Sequence, residues 1–136
     1  MRVLITGMGG EVGTRVTNLL EADPTFAEIV GIDGYPPRRR ISRVSFHRIE
    51  PSDRRRTVNL VREVDPHVVL HLGVYEPNAH FDPTPARLGT RGAAVSVLGA
   101  AASCPSLQAI VVRSGIEVYG RRRGGPTRPD ESAELR

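Results

Sequence analysis

The sequence predicts an α/β fold built on a doubly wound parallel sheet of about five strands, and three observations support it. An apolar strand at residues 2–6 leads into glycines at positions 7, 10 and 13, after which a helical pattern begins. A second apolar run ends at Asp33, 20 residues beyond Gly13. Strand-like and helical segments then alternate as far as residue 112. Such alternation indicates parallel strands joined by right-handed crossovers, in the order 3-2-1-4-5.

The elements follow from apolar periodicity and from turn residues. Strands are predicted at about 2–6, 28–32, 44–49, 67–72 and 108–112, and helices at about 11–21, 53–64 and 86–103. The spacing predicts that the first helix buries Val12, Val16, Leu19 and Leu20, and that the second buries Val58, Leu60, Val61 and Val64. Glycines at 89, 92 and 99 lower the helical propensity of the third helix.

The glycine-rich stretch after the first strand has the features of an anion site. Gly7 permits a tight turn, Gly10 lets a phosphate approach the backbone, and Gly13 lets the helix lie close to the sheet. The N–H groups of the helix start and the positive end of the helix dipole attract an anion. We predict that a dinucleotide pyrophosphate contacts Gly7, Gly9, Gly10, Glu11, Val12 and Gly13.

Asp33 is the predicted partner of the adenosine ribose, because a carboxylate at the end of the second strand accepts hydrogen bonds from the ribose hydroxyls. The alternative is that Asp33 and Gly34 only form a turn that closes the strand. An acid here repels a 2′-phosphate, whereas Arg38–Arg40 would neutralise one if their loop folds back. NAD is therefore the predicted cofactor, and NADP is the alternative.

Composition limits the class of protein. The chain of 136 residues is predicted to form one domain over residues 1–120, followed by an irregular or disordered tail over 121–136 that is rich in Arg, Gly and Pro. No apolar run reaches the roughly 20 residues of a membrane span, so no membrane partner is expected. The chain enters a strand at once, which argues against a signal peptide, and the single Cys104 fits a reducing cytoplasm.

Together, these motifs resemble those of the extended short-chain dehydrogenase/reductase family, the NAD-dependent epimerases and dehydratases. Residues 6–13 resemble TGxxGxxG, Asp33 matches the ribose-binding acid, and Glu50 falls near the acid that contacts the adenine amine. Residues 65–73 are similar to D-x-V-[IV]-H-L-A, and residues 114–120 to SSaavYG. The resemblance implies that Leu72, Gly73 and Val74 lie under the cofactor, and that Tyr75 and Glu76 lie near its nicotinamide half.

The chain departs from this family at its catalytic positions. Gly115 stands where the catalytic Ser or Thr is expected, which leaves the neighbouring Ser114 as a candidate. The similarity to STDEVYG offers Glu117 as a candidate acid, although Ile116 replaces the Asp. The asparagine expected near the start of the third helix is replaced by Ala86 or Arg91. The chain has 19 arginines and no lysine, so the family's Tyr-x-x-x-Lys pair is absent. The chain also looks truncated before a sixth strand.

The resemblance therefore implies the dinucleotide-binding portion of an NAD-dependent sugar-nucleotide epimerase or dehydratase, an oxidoreductase that is not catalytically competent as this fragment. Its substrate in the complete enzyme would be a nucleotide-sugar. One alternative is a non-catalytic, nucleotide-sensing domain of the same family, for which Gly115 is the main argument. Another is a module that binds anions or nucleic acid through its arginines, although the absence of a stacking motif makes nucleic acid an unexpected partner.

Three arginine triplets, at 38–40, 54–56 and 121–123, follow strands 2, 3 and 5. They are either solvated charges or a basic rim that draws phosphate ligands to the carboxyl edge of the sheet. His71, inside the fourth strand, is predicted to be buried and hydrogen-bonded to backbone, with a catalytic role as the alternative. His47, His67 and His80 lack ligand spacing, so no metal site is predicted.

The fifth strand is predicted to be an exposed edge, because the tail lacks the apolar run of a sixth strand. Ile110, Val111 and Val112 lie on it, and exposed apolar edges pair with other strands. We therefore expect a homodimer formed through this edge or the adjoining helical face.

Overall fold

The computed structural model describes residues 1–75, 83–115, 119 and 130–133. The described strands are β1 (Arg2–Thr6), β2 (Glu28–Asp33), β3 (Val44–Arg48), β4 (Val68–His71) and β5 (Ala109–Val112). The helices are α1 (Glu11–Glu21), α2 (Arg54–Val64) and α3 (Pro83–Ala101). All neighbouring strands are parallel, in the order β3-β2-β1-β4-β5. The predicted fold class and strand order are confirmed.

The sheet has a separate apolar core on each face, because successive side chains of a strand point to opposite sides. Leu4 of β1 belongs to one core cluster with Val61 of α2 and with residues of α3. Its neighbours Val3 and Ile5 belong to a second cluster, against which Leu20 of α1 packs. Helices α2 and α3 therefore cover one face, and α1 covers the other.

The buried side of α1 differs from the predicted one. Val12 and Leu19 are 42% and 73% exposed. The buried residues are instead Gly13, Thr14 and Thr17. The two threonine hydroxyls donate to main-chain carbonyl oxygens, so their burial leaves no polar group unpaired. The prediction was wrong for Val12 and Leu19, because the helix buries its small residues. Val16 and Leu20 are half-buried, and Leu20 packs against the second core cluster.

Helix α2 agrees with its predicted pattern. Leu60, Val61 and Val64 are buried, and Val58 is half-buried. The helix begins where residues 51–53 predict it, since the Asp53 side chain accepts a hydrogen bond from the Arg56 N–H at 3.0 Å. This N-cap satisfies one of the donors that a helix start leaves without an intrahelical partner.

Helix α3 begins at Pro83, three residues before its predicted start, and ends at Ala101 rather than at residue 103. A proline fits the first helical position, where its missing N–H would have no intrahelical partner. The helix forms despite its glycines because it packs against the rest of the fold, with Ala93, Val97 and Ala100 buried.

The strand boundaries differ slightly from those predicted. Strand β2 extends through Asp33, β3 ends one residue early, and β4 and β5 are shorter than expected. In β5, Ile110, Val111 and Val112 are 38%, 54% and 51% exposed. Among the described strands, β5 has a neighbour on one side only, which confirms the expected exposed edge.

Parts of the sequence lie outside the described residues, including Glu76, His80, Glu117, the triplet at 121–123 and most of the tail. The domain boundary at residue 120 and the disorder of the tail therefore stay predictions. In the portion that the structure describes, none of the helices is long and apolar enough to span a membrane.

Candidate functional site

A cleft of about 610 Å³ opens where the strand order reverses, at the carboxyl ends of β1 and β4. Parallel α/β sheets place their ligands at such a point. The lining residues come from the loop after β1 and from the segments that follow β2, β4 and β5. They are Gly7, Gly9, Gly10, Glu11, Val12, Gly13, Asp33, Tyr35, Pro36, Arg38, Leu72, Gly73, Val74, Tyr75 and Arg113.

Gly7 makes the turn that leads from β1 into this cleft. Its φ of 71° lies in the left-handed region, which favours glycine. A Cβ at this position would lie 2.7 Å from the main-chain nitrogen of Gly73, and the Gly7 N–H donates to the Ile32 carbonyl at 3.0 Å. The predicted tight-turn role of Gly7 is confirmed, and the turn lies directly against the ends of β2 and β4.

Gly13 and Gly10 have different surroundings. A Cβ on Gly13 would collide with the Gly7 carbonyl oxygen and lie 2.7 Å from the Met8 Cα. Gly13 therefore does allow close packing at the helix start, but its close contacts are with the turn at Gly7 and Met8 rather than with the sheet. A Cβ on Gly10 would come no nearer than 3.4 Å to the Gly7 oxygen, so the space beside Gly10 is open. This opening is what close approach of a phosphate requires.

The start of α1 presents backbone donors to the cleft. Its N-cap residue, Gly10, makes no side-chain capping bond. The first N–H groups of a helix have no intrahelical acceptor, and the helix dipole makes this end positive. Glu11, Val12 and Gly13, which form this first turn, all line the cleft. The arrangement can bind an anion through backbone N–H groups.

Asp33 lies at the end of β2 and is only 6% exposed. Its two carboxylate oxygens accept hydrogen bonds from the Gly9 N–H at 2.9 Å and from the Tyr35 N–H at 3.2 Å. Burial raises the pKa of Asp33, these N–H groups oppose that shift, and the nearby charge of Glu50 adds to it. The carboxylate thus forms the turn that the alternative interpretation predicts and also lines the cleft.

His71 and Thr6 form a buried pair at the ends of β4 and β1. The Thr6 hydroxyl and His71 Nδ1 share a hydrogen bond of 2.7 Å, and His71 is only 2% exposed. The expected burial is confirmed, but the partner is a side chain rather than backbone. Burial lowers the pKa of His71, which favours the neutral imidazole. His71 is not among the cleft-lining residues, so the structure gives no support to a catalytic role.

Tyr75 closes the cleft beyond β4, and α3 holds its main chain. The Tyr75 N–H donates to Thr90 Oγ1 at 2.9 Å. Burial raises the pKa of the Tyr75 phenol, and the charges of Asp33 and Glu50 raise it further. The sequence analysis did not identify Thr90. This residue immediately precedes Arg91, one of the two positions where the family's asparagine was expected.

Among the described residues, all predicted cofactor contacts except Glu50 line the cleft, and Glu76 lies outside the described residues. Glu50 is exposed, and its carboxylate lies beside Gly34. It is not a lining residue because it follows β3, and β2 lies between β3 and the strands β1 and β4 that flank the cleft. The candidate catalytic Ser114 is exposed and is not among the lining residues, and Glu117 lies outside the described residues.

Sequence reasoning did not predict Tyr35, Pro36 and Arg113 as lining residues. Arg113 directly follows β5, and its N–H donates to the His71 carbonyl at 2.9 Å, so topology alone could have placed it here. Arg38 lines the cleft, but Arg54 and Arg55 line a different groove, between α2 and α3. The described triplets therefore do not form one continuous rim. Within the described ranges, no three His, Cys, Asp or Glu residues are grouped to hold a metal.

The fold and the cleft define a nucleotide-binding domain of the Rossmann type, with a glycine-rich turn and an acidic residue at the point where strand order reverses. A family model described as the NAD dependent epimerase/dehydratase family matches residues 3–135. The chain therefore belongs to this family, as the sequence motifs predicted. Compared by sequence with curated proteins, it has no significant match.

Solved structures of similar fold include several epimerases. The enzyme WbmG of Bordetella bronchiseptica, in complex with NAD and UDP, is 18% identical, with a TM-score of 0.79 over 100% of this chain and 44% of that one. The UDP-glucose 4-epimerase of Thermus thermophilus, in complex with NAD, is 23% identical, with a TM-score of 0.75 over 100% and 44%. The UDP-glucose 4-epimerase of Thermotoga maritima, with UDP-glucose, is 16% identical, with a TM-score of 0.76 over 90% and 41%. This chain thus spans less than half the length of these neighbours.

Proposed function

We propose that this chain is the dinucleotide-binding part of an NAD-dependent sugar-nucleotide epimerase or dehydratase, and that NAD binds in the cleft. The observation that carries the proposal is the position of the glycine-rich turn opposite Asp33, at the reversal of strand order. Membership of the NAD dependent epimerase/dehydratase family supports it.

The proposed orientation of NAD follows from the lining residues. The pyrophosphate would lie over the open side of Gly10, where the backbone donors of the first turn of α1 face it. The adenosine ribose would lie beside Asp33, since a carboxylate accepts from both ribose hydroxyls. The nicotinamide end would then extend towards Gly73, Val74 and Tyr75, on the β4 side. Bound NAD supplies a ring that accepts or donates a hydride.

The proposed substrate of the longer enzyme is a nucleotide-sugar, because similar structures hold UDP-glucose or UDP. The chain as given has no lysine and therefore no Tyr-x-x-x-Lys pair for proton transfer. Ser114 and Glu117 stay as candidate catalytic groups of that longer enzyme. We further propose a domain over residues 1–120, an irregular tail, and a cytoplasmic location, in which the free thiol of buried Cys104 would stay reduced.

The second candidate is a non-catalytic domain that senses a nucleotide. Gly115 favours it, because this position offers no side-chain hydroxyl for catalysis. The exposure of Ser114 outside the cleft lining also favours it. Both candidates require dinucleotide binding, and turnover by a longer chain separates them.

Calorimetric titration with NAD tests dinucleotide binding, which both candidate functions require. We expect one NAD to bind per chain. Gly10→Val should abolish this binding, because the new side chain would fill the space beside Gly10 without a close internal contact. Gly99→Val is the matched control, since a Cβ on Gly99 in α3 meets nothing within 4 Å. A folded wild-type protein that gives no heat with NAD would contradict the proposal.

A further inference from the structure

The groove between α2 and α3 lies on the face of the sheet opposite α1. The two helices run side by side in the same direction. Near the start of α2, a Cβ on Gly92 of α3 would lie 3.9 Å from the Pro51 carbonyl oxygen. Near the end of α2, the Val61 carbonyl oxygen lies 3.6 Å from the Cys104 thiol, which follows α3. The groove has a volume of about 540 Å³ and is lined by Arg54, Arg55, Val58, Asn59, Arg62, Val95, Ser96, Gly99 and Ala100.

The α2 wall of this groove carries positive charge at helical spacing. Arg55, Asn59 and Arg62 are separated by four and three residues, so they lie on one face of the helix. The two arginines are two turns, or about 10 Å, apart along the helix axis. None of the lining residues is an Asp or Glu, and within the described ranges no carboxylate forms an ion pair with Arg54, Arg55 or Arg62.

Two of these arginines occupy an electrostatically unfavourable place. Arg54 and Arg55 lie in the first turn of α2, which contains no acidic residue. The helix dipole makes this end positive, so cations here destabilise the helix. The neighbouring Arg56 has a carboxylate partner, since it lies 3.9 Å from Asp53. Local conflicts of this kind are expected where function requires them, and an anionic partner in the groove would relieve this one.

The α3 wall is uncharged and partly apolar. Val95 is 55% exposed, and a Cβ on Gly99 would meet nothing within 4 Å. Ser96 is buried, and its hydroxyl donates to the Gly92 carbonyl oxygen at 2.8 Å. On the α2 side, Val58 adds a half-buried apolar surface. The groove therefore joins a cationic wall to an apolar one, which suits a segment with carboxylates on one side and apolar side chains on the other.

We propose that this groove binds an acidic amphipathic helix of a partner protein. Two carboxylates of that helix, seven residues apart, would pair with Arg55 and Arg62, and an apolar residue between them would pack against Val95. A helix fits because its own positions i and i+7 repeat at about the same 10 Å as the two arginines. A guanidinium can hold each carboxylate through two N–H groups at once. This binding is separate from the proposed binding of NAD.

The composition of the groove favours this occupant over two others. A second copy that met the groove with the same face would place arginines against arginines. Nucleic acid would be expected to use aromatic side chains that stack on its bases, and none of the lining residues is aromatic.

The test measures the fluorescence anisotropy of a labelled peptide added to residues 1–136. The peptide has about 18 residues, enough to form a helix, with Glu at two positions seven apart and Leu between them on the same face. We expect saturable binding with a Kd of about 10–100 μM that weakens as salt is added. A second peptide with Lys in place of both Glu should bind at least about tenfold more weakly.

Charge reversal in the groove should weaken binding of the acidic peptide. The double variant Arg55→Glu, Arg62→Glu should lose at least about tenfold in affinity. The matched control is the double variant Arg39→Glu, Arg40→Glu, in the exposed loop that contacts α1, which should lose less than about threefold. Because Arg55→Glu places an acid in the first turn of α2, this single variant should also raise the denaturant midpoint, so unfolding would not explain its weaker binding.

The apolar wall is tested without a change of charge. Val95→Ser should weaken the acidic peptide by at least about threefold, because it removes the apolar contact. Leu88→Ser, at an exposed position of α3 that does not line the groove, is the matched control and should leave the affinity unchanged.

Each other result overturns the inference. A folded protein that does not bind the acidic peptide would reject the site. Equal losses in the groove and loop double variants, or unchanged affinity of Val95→Ser, would show only diffuse attraction between a basic protein and an acidic peptide. An oligonucleotide that binds more tightly than the peptide, and is lost in the groove double variant, would assign the groove to nucleic acid. A change in the oligomeric state of that variant would assign it to a second copy.

Discussion

The Asp33 carboxylate accepts the main-chain N–H of Gly9 at 2.9 Å, although the two residues lie 24 positions apart in the chain. This bond ties the end of β2 to the glycine-rich turn after β1. The acid proposed to bind the ribose therefore also holds the turn proposed to bind the pyrophosphate. The two halves of the candidate site depend on one side chain.

Replacing Asp33 should consequently affect both stability and binding. Asp33→Ala leaves the buried N–H of Gly9 without an acceptor and should lower the free energy of unfolding by about 1–3 kcal/mol. It should also weaken NAD binding by at least about tenfold. Urea unfolding and calorimetry measure the two effects. The control is Asp53→Ala, which removes the N-cap of α2 and the 3.9 Å ion pair of Asp53 with Arg56. It should cost about 1 kcal/mol and should leave NAD affinity unchanged. Normal NAD binding by Asp33→Ala would contradict the assigned role.

Replacement by alanine should change stability in opposite directions at Gly13, near the start of α1, and at Gly99, near the end of α3. Gly13→Ala places a Cβ against the Gly7 carbonyl and should destabilise the protein by about 1–3 kcal/mol. Gly99→Ala places its Cβ in open space on α3 and should stabilise the protein by about 0.5–1 kcal/mol through helix propensity. The denaturant midpoints of the two variants and the wild type, measured under the same conditions, test this prediction. Equal shifts for both variants would show that the contact between Gly13 and Gly7 is not tight.

The buried His71 should make stability depend on pH. Burial lowers its pKa in the folded state, whereas the unfolded chain has a histidine pKa of about 6.5. Below that value the unfolded state binds more protons, so the free energy of unfolding should fall as the pH drops through the folded pKa, by at most about 1.4 kcal/mol per pH unit.

His71→Gln, which keeps a polar partner for Thr6 and cannot be protonated, should flatten this dependence. Urea unfolding between about pH 7.5 and 5.5 measures the difference between the two proteins. Parallel curves for wild type and variant would exclude His71 as the source.

The open edge of β5 should make the protein dimerise at micromolar concentration, because its exposed valines offer an unpaired strand to a second copy. Val111→Arg should give a monomer in light scattering. Since Val111 is 54% exposed, the change should cost little stability. Leu19→Arg, at a 73% exposed position on α1, is the matched control and should stay dimeric. A monomeric wild type would contradict the prediction.

Residues 1–136 should not turn over a nucleotide-sugar, even with NAD bound. None of the chain's three tyrosines is followed by a lysine, since the chain has none. The missing acid–base pair alone accounts for a loss of about 10²–10⁴-fold in rate. Incubation with UDP-glucose and NAD, followed by chromatography of the products, tests this. Any epimerised, dehydrated or oxidised product would show that the chain contains another proton-transfer group.

The sequence by itself determined the parallel sheet, its strand order and most of the cleft. These features depend on local signals: the apolar runs of the strands, the position of Asp33, and the glycines at 7 and 13, whose conformation or close packing excludes a Cβ. Because parallel strands place their carboxyl ends at one edge, the segments that follow them were expected to meet. Ten of the predicted contact residues therefore line one cleft: Gly7, Gly9, Gly10, Glu11, Val12, Gly13, Asp33, Leu72, Gly73 and Val74.

Only the tertiary structure decided the contacts between segments distant in the chain. Apolar spacing could not show that α1 buries Thr14 and Thr17 and leaves Leu19 73% exposed, because the orientation of the helix is set by its packing against the rest of the fold. Nor could it show that His71 pairs with Thr6, since these residues meet only when β4 lies beside β1. The direction of the loop that bears Arg38 likewise depends on acceptors in α1, which composition does not reveal. Hydrogen bonds of this kind join residues whose separation in sequence carries no periodic signal.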